Sequence, residues 1–272
     1  MKLAVSNIAW AHADEERVLG VLRDEGISGV EIAPTRIWPG WRGAGGEAAR
    51  QAKQFYRNRG FSVAAVQSLL YEMPHCRLFG SAEARCALAA HLRLCAEIAG
   101  SLGAEAAVFG SPRQRDPGDL ASERAFESAC EFFWGIAGEF ESRGVVLCLE
   151  ANPPAYDCRF VVESKEAFEL VAAVNRAGFQ MHLDTGCLCL SGESASAAIQ
   201  RSHGCLKHFH VSEPYLGGFD HPIAEHASAF ESLKSCEYAG WVSLEMREQD
   251  RAVESVARAA RFLVSVYGGV AE

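Results

Sequence analysis

Eight short apolar runs, each followed by a stretch whose apolar residues recur at helical spacing, organise this 272-residue sequence. They are KLAVSNIAW (2–10), GVEIAP (29–34), FSVAAVQSLL (61–70), AEAAVFGSP (104–112), VVLCLEANP (145–153), FQMHLDTG (179–186), LKHFHVSEP (206–214) and WVSLEMRE (241–248). Between them lie good helix formers such as SAEARCALAAHLRLCAEIAGSLG and RAFESACEFFWGIAGEFESRG. Gly26, Gly60, Gly103, Gly144, Gly178 and Gly240 stand with two or fewer residues between them and a run, where a helix C-terminal cap belongs. No Asn-Gly hairpin signal joins neighbouring strands, so the alternation calls for an all-parallel sheet. At eight units, closure into a single (β/α)8 barrel, an α/β fold, leaves no exposed sheet edge. A doubly wound sheet would want a glycine-rich phosphate turn after the first strand, and SNIAWAHAD has no glycine. GAGG (43–46) follows no strand and reads as loop. No linker or low-complexity tract divides the chain, so one domain over residues 1–272 is expected.

Composition narrows the function classes. Apolar residues make up 49% of the chain, enough for a large core, yet no uninterrupted run of about 18 appears, which argues against a membrane span. The amino-terminal MKLAVSNIAWAHADEE runs straight into acidic residues without a small-residue cleavage site and reads as a first strand rather than a signal peptide. Ten scattered cysteines without a CxxC pair suit reduced thiols in a cytoplasm. A formal charge of -9 repels a nucleic-acid backbone.

Chemistry gathers at the ends of the last four strands. In a barrel the site is built at the carboxyl ends of the strands. Glu150 ends the fifth, Asp184 the sixth, His210 the seventh, and Glu245 lies near the end of the eighth. Three carboxylates in one dry cup raise each other's pKa until one or more protonates, and a divalent cation resolves the conflict. Three carboxylates and an imidazole suit Mn²⁺ or Mg²⁺ and tolerate Co²⁺ or Zn²⁺. Each residue alone has an ordinary structural explanation, a loop acceptor or a satisfied core histidine, but four on consecutive strands are hard to explain that way.

CLEANP, HLDTG, HFHVSEP and SLEM, in this order, resemble the sugar-phosphate isomerase/epimerase superfamily, the xylose isomerase-like TIM barrels that include ketose 3-epimerases, inosose dehydratases and type IV endonucleases. The resemblance covers nearly the whole chain. It implies that Glu150, Asp184, His210 and Glu245 bind one metal and that, in the epimerase branch, Glu150 and Glu245 also shuttle the proton. A cation bridging a carbonyl and its neighbouring hydroxyl acidifies the C–H between them and stabilises an enediolate. A carboxylate on each side of that carbon then removes a proton from one face and returns it to the other.

Departures from the family pattern point away from a free ketohexose. Ketose 3-epimerases carry a histidine three residues after the aspartate, where this chain has Cys187, and an arginine six residues after the metal histidine, where it has Leu216. They place a further glutamate after the first one, whereas ANPPAYDC offers Asn152, Tyr156 and Asp157. Other groups are candidates for the substrate. Period-two alternation puts Arg247 on the face of Ser243 and Glu245. Glu213 matches an epimerase glutamate and is expected to orient a ligand or the second nitrogen of His210. Glu31 and Gln67 point to the same rim as hydroxyl binders. Arg113 and Arg115 in GSPRQR offer forks for an anionic group, against the plainer reading of a solvated loop. His182 is expected to be a hydrogen-bonded interior residue and Lys207 to face the helices. His221 and His226 sit in a segment that either covers the site or caps the next helix.

The expected activity is thus a metal-dependent isomerase or epimerase of a small sugar-like polyol ketone, with no nucleic-acid or membrane partner and, by resemblance, a homodimer. The alternatives are a dehydratase of a keto-cyclitol or dehydroshikimate-like substrate, a phosphodiesterase of the endonuclease type, and a non-catalytic binding protein. The endonuclease reading lacks its extra histidines: the third strand ends in Gln67 and Ser68, the fourth in Phe109 and Gly110.

Overall fold

The computed structural model describes residues 1–269. Its strands are β1 Lys2–Ser6, β2 Gly29–Ile32, β3 Ser62–Val66, β4 Ala106–Phe109, β5 Val146–Glu150, β6 Phe179–Asp184, β7 Leu206–Ser212 and β8 Trp241–Glu245. Each pairs in parallel with the next, and β1 pairs with β8, so the sheet closes as a TIM barrel. Around it run α1 Glu15–Asp24, α2 Pro34–Ile37, α3 Gly46–Arg57, α4 Ala82–Leu102, α5 Ser122–Glu141, α6 Ser164–Val174, α7 Thr185–Ser191, α8 Ala195–Ser202, α9 His226–Ser235 and α10 Ala252–Tyr267. One large apolar core fills the space between barrel and helices, with Val18, Leu92, Phe133, Phe179, Phe209 and Leu263 among its members. Among the described residues no helix is long and apolar enough to cross a membrane, and all ten cysteines are free thiols.

Several strands are shorter than the apolar runs that announce them. The third stops at Val66 and the chain reaches α4 only at Ala82. Of the expected glycine caps, Gly26, Gly60, Gly103 and Gly144 have positive φ. Gly178 does not: α6 is capped by Asn175 in the left-handed region, and Gly178 is small because a Cβ there would strike the Ala137 carbonyl. Gly240 likewise is no cap, since Glu237 takes the positive φ after α9.

The amino-terminal end of the barrel is closed by charge. Glu105, just before β4, accepts from Lys2 of β1, Lys207 of β7 and the Trp241 indole of β8. Bonds to three strands on the far side place this cluster across the barrel floor. Lys207 therefore does not face the helices. The register irregularity between Met181 and His182, against Leu206 and His208, leaves it out of the regular alternation.

Candidate metal centre

At the opposite end, Glu150, Asp184 and Glu245 each end their strand, while β7 continues two residues past His210. The register sets His210 beside Asp184, and Glu245 beside Ser212. One atom each from Glu150, Asp184 and His210 lie within 4.8 Å of one another. His210 Nδ1 is 3.2 Å from Glu245 Oε2 and 3.8 Å from Asp184 Oδ2. All four residues line one cavity of about 180 Å³.

Asp184 explains why an apolar strand finishes on a charge. Thr185 and Gly186 open α7, and Asp184 is its N-cap: one carboxylate oxygen accepts from the Cys187 N–H at 2.6 Å. The other oxygen is buried without a partner, and so is His210 Nδ1, which is close to Glu245 but not aligned for a hydrogen bond. Unpartnered buried polar atoms are rare and call for a cause. A nitrogen acceptor and carboxylate oxygens converging on one point are a donor set for a divalent cation, and these residues fit one.

Electrostatics leads to the same place. Burial first, then Asp184 and Glu245, push the Glu150 carboxyl up to about 8. Burial and Glu245 raise Asp184 as well. The opposite holds one layer deeper, where Glu31, fully buried, accepts from His210 Nε2 at 3.0 Å and from His208 Nε2 at 3.3 Å. Burial opposes its charge, but His210 and His208 outweigh burial and hold Glu31 well below the usual carboxylate range. His210 is correspondingly raised: burial works against the cation, and Glu31 and Glu245 prevail. Glu31 therefore orients the ring of His210 and leaves Nδ1 for the cup.

The remaining candidates sort by contact. Gln67 lines the cavity and donates to Ser6 Oγ at 2.6 Å. Asn152 lines it too, donating to Glu150 Oε2 at 2.9 Å. Glu31 is no hydroxyl binder, because it lies beneath the centre and is spent on the two histidines. Glu213 serves neither a ligand nor His210. It is bonded to His226 Nε2 at 2.6 Å and to the N–H groups of Ile223 and Ala224, pinning the loop after β7. Arg247 is exposed: β8 ends at Glu245, and alternation ends with it. Arg113 is exposed and paired with Asp157 at 3.1 Å. His182 is interior but not hydrogen-bonded, with both ring nitrogens unpartnered and Nε2 3.7 Å from Glu150 Oε1. His226 is buried and His221 exposed, neither lining the cavity. Cys187 and Leu216, where the chain departs from ketose 3-epimerases, both form cavity wall.

Three wall residues, Ser68, Ser111 and Leu216, are non-glycine and at positive φ, between 51° and 55°, a conformation the sequence does not announce. Such backbone strain gathers at functional sites, where surrounding structure holds it.

A model of the family described as xylose isomerase-like TIM barrel matches residues 19–266. The chain belongs to that family. No curated protein matches it in sequence. Among solved structures, a D-psicose 3-epimerase in the presence of D-fructose superposes with a TM-score of 0.81 at 17% identity, covering 99% of this chain and 100% of the other. The IOLI protein with a bound zinc atom gives 0.77 at 16%, covering 98% of both chains. A probable 3-DHS dehydratase from Bacillus anthracis gives 0.72 at 14%, covering 97% and 99%. At such identities the likeness is one of fold, and it spans sugar epimerases, the zinc-binding IOLI protein and a probable dehydratase.

Gly110, at the end of β4, touches this centre through its lack of a side chain. A Cβ there would overlap Glu150 Oε2 and come within 3.2 Å of Asn152 Oδ1. Gly110→Ala is expected to displace the Glu150 carboxylate and lower turnover about 10²-fold with little change in Tm. Equal turnover in the two proteins would show that Glu150 needs no such space.

Proposed function

We propose that this protein is a divalent-metal-dependent isomerase or epimerase acting on a small, uncharged sugar-like polyol ketone. The observation that carries the reading is the pair Glu150 and Glu245, delivered by β5 and β8 to one cavity with Asp184 and His210 between them in strand order. Glu150, Asp184, His210 and Glu245 would hold the cation. When bound, a divalent ion acts as a Lewis acid on a carbonyl and the neighbouring hydroxyl, acidifying the C–H bond between. Glu245 and Glu150 would take and return that proton, since each is a carboxylate at the cavity wall; Asn152 donates to Glu150 and fixes its orientation, and Glu245 lies 3.2 Å from His210 Nδ1. Mn²⁺ and Mg²⁺ suit the oxygen-rich set best.

Charge selects the substrate class. The charged side chains on the wall are Glu150, Asp184 and Glu245, with His210 beside them, and no lysine or arginine lines the cavity. Arg113 and Arg247 turn to solvent and Arg115 is buried behind Asn152. A phosphate or carboxylate would enter a cup with nothing to pair it and three carboxylates facing it. This argues against phosphorylated sugars, phosphodiesters and a dehydroshikimate-like acid. A volume of about 180 Å³, below the ~300 Å³ floor of typical drug-sized pockets, suits a single sugar or cyclitol ring.

A second reading, dehydration of a neutral keto-cyclitol, uses the same proton abstraction and differs in losing a β-hydroxyl. The test incubates the Mn²⁺-loaded protein in deuterated water with ketopentoses, ketohexoses, inososes and their phosphates. Solvent deuterium at one carbon of an isomeric product is expected from a neutral member of the panel. Loss of water from an inosose would favour the second reading, and turnover confined to phosphates would overturn the charge argument.

A further inference from the structure

Arg115 is among the largest fully buried side chains in the molecule, and no carboxylate pairs with it among the described residues. A buried guanidinium without a counter-charge is costly. Its partners are instead the main-chain oxygen of Glu150 at 2.7 Å, Asn152 Oδ1 at 3.0 Å, the Val161 carbonyl at 3.3 Å and the Cys158 sulfur at 3.4 Å, with Nε left unpartnered. Val161 has φ 60°, unusual for a β-branched residue, and its carbonyl also accepts from the Asn152 N–H at 3.3 Å. An unpaired buried charge and a strained valine thus meet at Asn152, two residues beyond the end of β5, beside Glu150.

We propose that Arg115 is a positioning residue for Glu150, acting through the side-chain amide of Asn152. This rests on the reading of Glu150 as a metal ligand. The guanidinium can only donate, so Asn152 must turn its oxygen to Arg115 and its NH₂ to Glu150 Oε2. Without Arg115 the amide loses the anchor on its oxygen, and its NH₂ no longer holds Glu150 in the single rotamer that faces the cup. The second fork arm, on the Glu150 carbonyl, fixes the backbone from which that rotamer springs. Lysine cannot do the same, because one ammonium on a flexible stem does not span both acceptors in a fixed plane.

Titration calorimetry with Mn²⁺ on the full chain tests the link. Arg115→Met and Asn152→Ala are each expected to weaken Mn²⁺ binding by about 10–100-fold, with Arg115→Lys closer to the methionine variant than to wild type. The double variant is expected to bind no more weakly than the worse single one, because both changes break one chain of contacts. Losses that multiply in the double variant, or an Arg115→Met protein that folds and binds Mn²⁺ within about twofold of wild type, would overturn the proposal. If Arg115→Met does not fold, Asn152→Ala, which keeps the buried arginine, decides: wild-type affinity there also overturns it. Wild-type protein that takes up no Mn²⁺ would instead sink the metal reading itself.

Discussion

Glu245→Gln is expected to lower turnover about 10²–10⁴-fold at saturating Mn²⁺, and Glu150→Gln to do the same. Glutamine keeps the size and the reach of the side chain and removes its ability to accept a proton. Both positions sit in a group of three buried carboxylates that repel one another, and burial with Asp184 and Glu245 is what lifts Glu150. Above about pH 8, where Glu150 is ionised, Glu150→Gln removes one charge from that group and relieves repulsion, so this variant without metal is expected to unfold at a Tm no lower than the parent. Stability and activity should therefore move in opposite directions, which separates loss of chemistry from loss of fold. The two variants also differ from each other. With one carboxylate left, the proton on that face is still exchanged with solvent while the opposite face is not served, so one epimer is expected to take up deuterium without being converted. Which epimer exchanges reports which face each glutamate serves. Near-normal conversion by Glu245→Gln would remove the two-carboxylate chemistry.

These four residues were legible because each stands at or near the last inward position of a strand, where period-two alternation and the apolar run both point to it. The barrel was legible for the same reason: eight runs and eight helical stretches admit few closures. Legibility ended where the strands did. Arg247 lies two residues past the last paired residue of β8, so a parity valid for Ser243 and Glu245 no longer applied. The Glu31 side chain has the parity of the rim but lies one layer below it, against His210, and the register of β2 with β3 is irregular between Val30 and Glu31. Arg113 and Arg115 lie on one short turn entered through Ser111 at φ 51°, a conformation that residue type does not announce, and that turn decides which arginine is buried. Glu213 and His226 meet across thirteen residues of loop, beyond any local period. In Asp-Thr-Gly the break in the apolar pattern was real, but it marks the start of a helix that the aspartate caps.

Binding of Mn²⁺ at pH 7 is expected to release at least about one proton per chain, from Glu150, with His210 adding to it. The Glu150 carboxyl, pushed up to about 8, is mostly protonated at that pH, and Glu31 and Glu245 raise the His210 imidazole, which favours its protonated form. A cation needs the carboxylate ionised and Nδ1 bare, while Nε2 keeps its proton and donates it in a hydrogen bond to Glu31. Affinity should accordingly climb as pH rises from 6 to about 8. Linkage gives the sign for the metal-free protein. Glu150 titrates near its ordinary value of 4.5 when unfolded and about 8 when folded, so between these values the native state holds the extra proton. Its contribution to stability is complete below about 4.5 and is lost as pH rises through about 8. His210, also raised from its ordinary 6.5, acts in the same direction above that value. Glu31, lowered, acts only on acidification below its ordinary 4.5. Below about pH 6.5 the buried His182, His208 and His91, all lowered by burial, act the other way from Glu150 and His210, so the metal-free Tm is expected to fall between about pH 7 and pH 8, and the loaded protein to lose most of that slope. Calorimetry in buffers of different ionisation enthalpy counts the protons, and thermal melts with and without Mn²⁺ read the slope. No proton release at pH 7, or a metal-free Tm that rises toward pH 8, would mean that the three carboxylates do not share one cup.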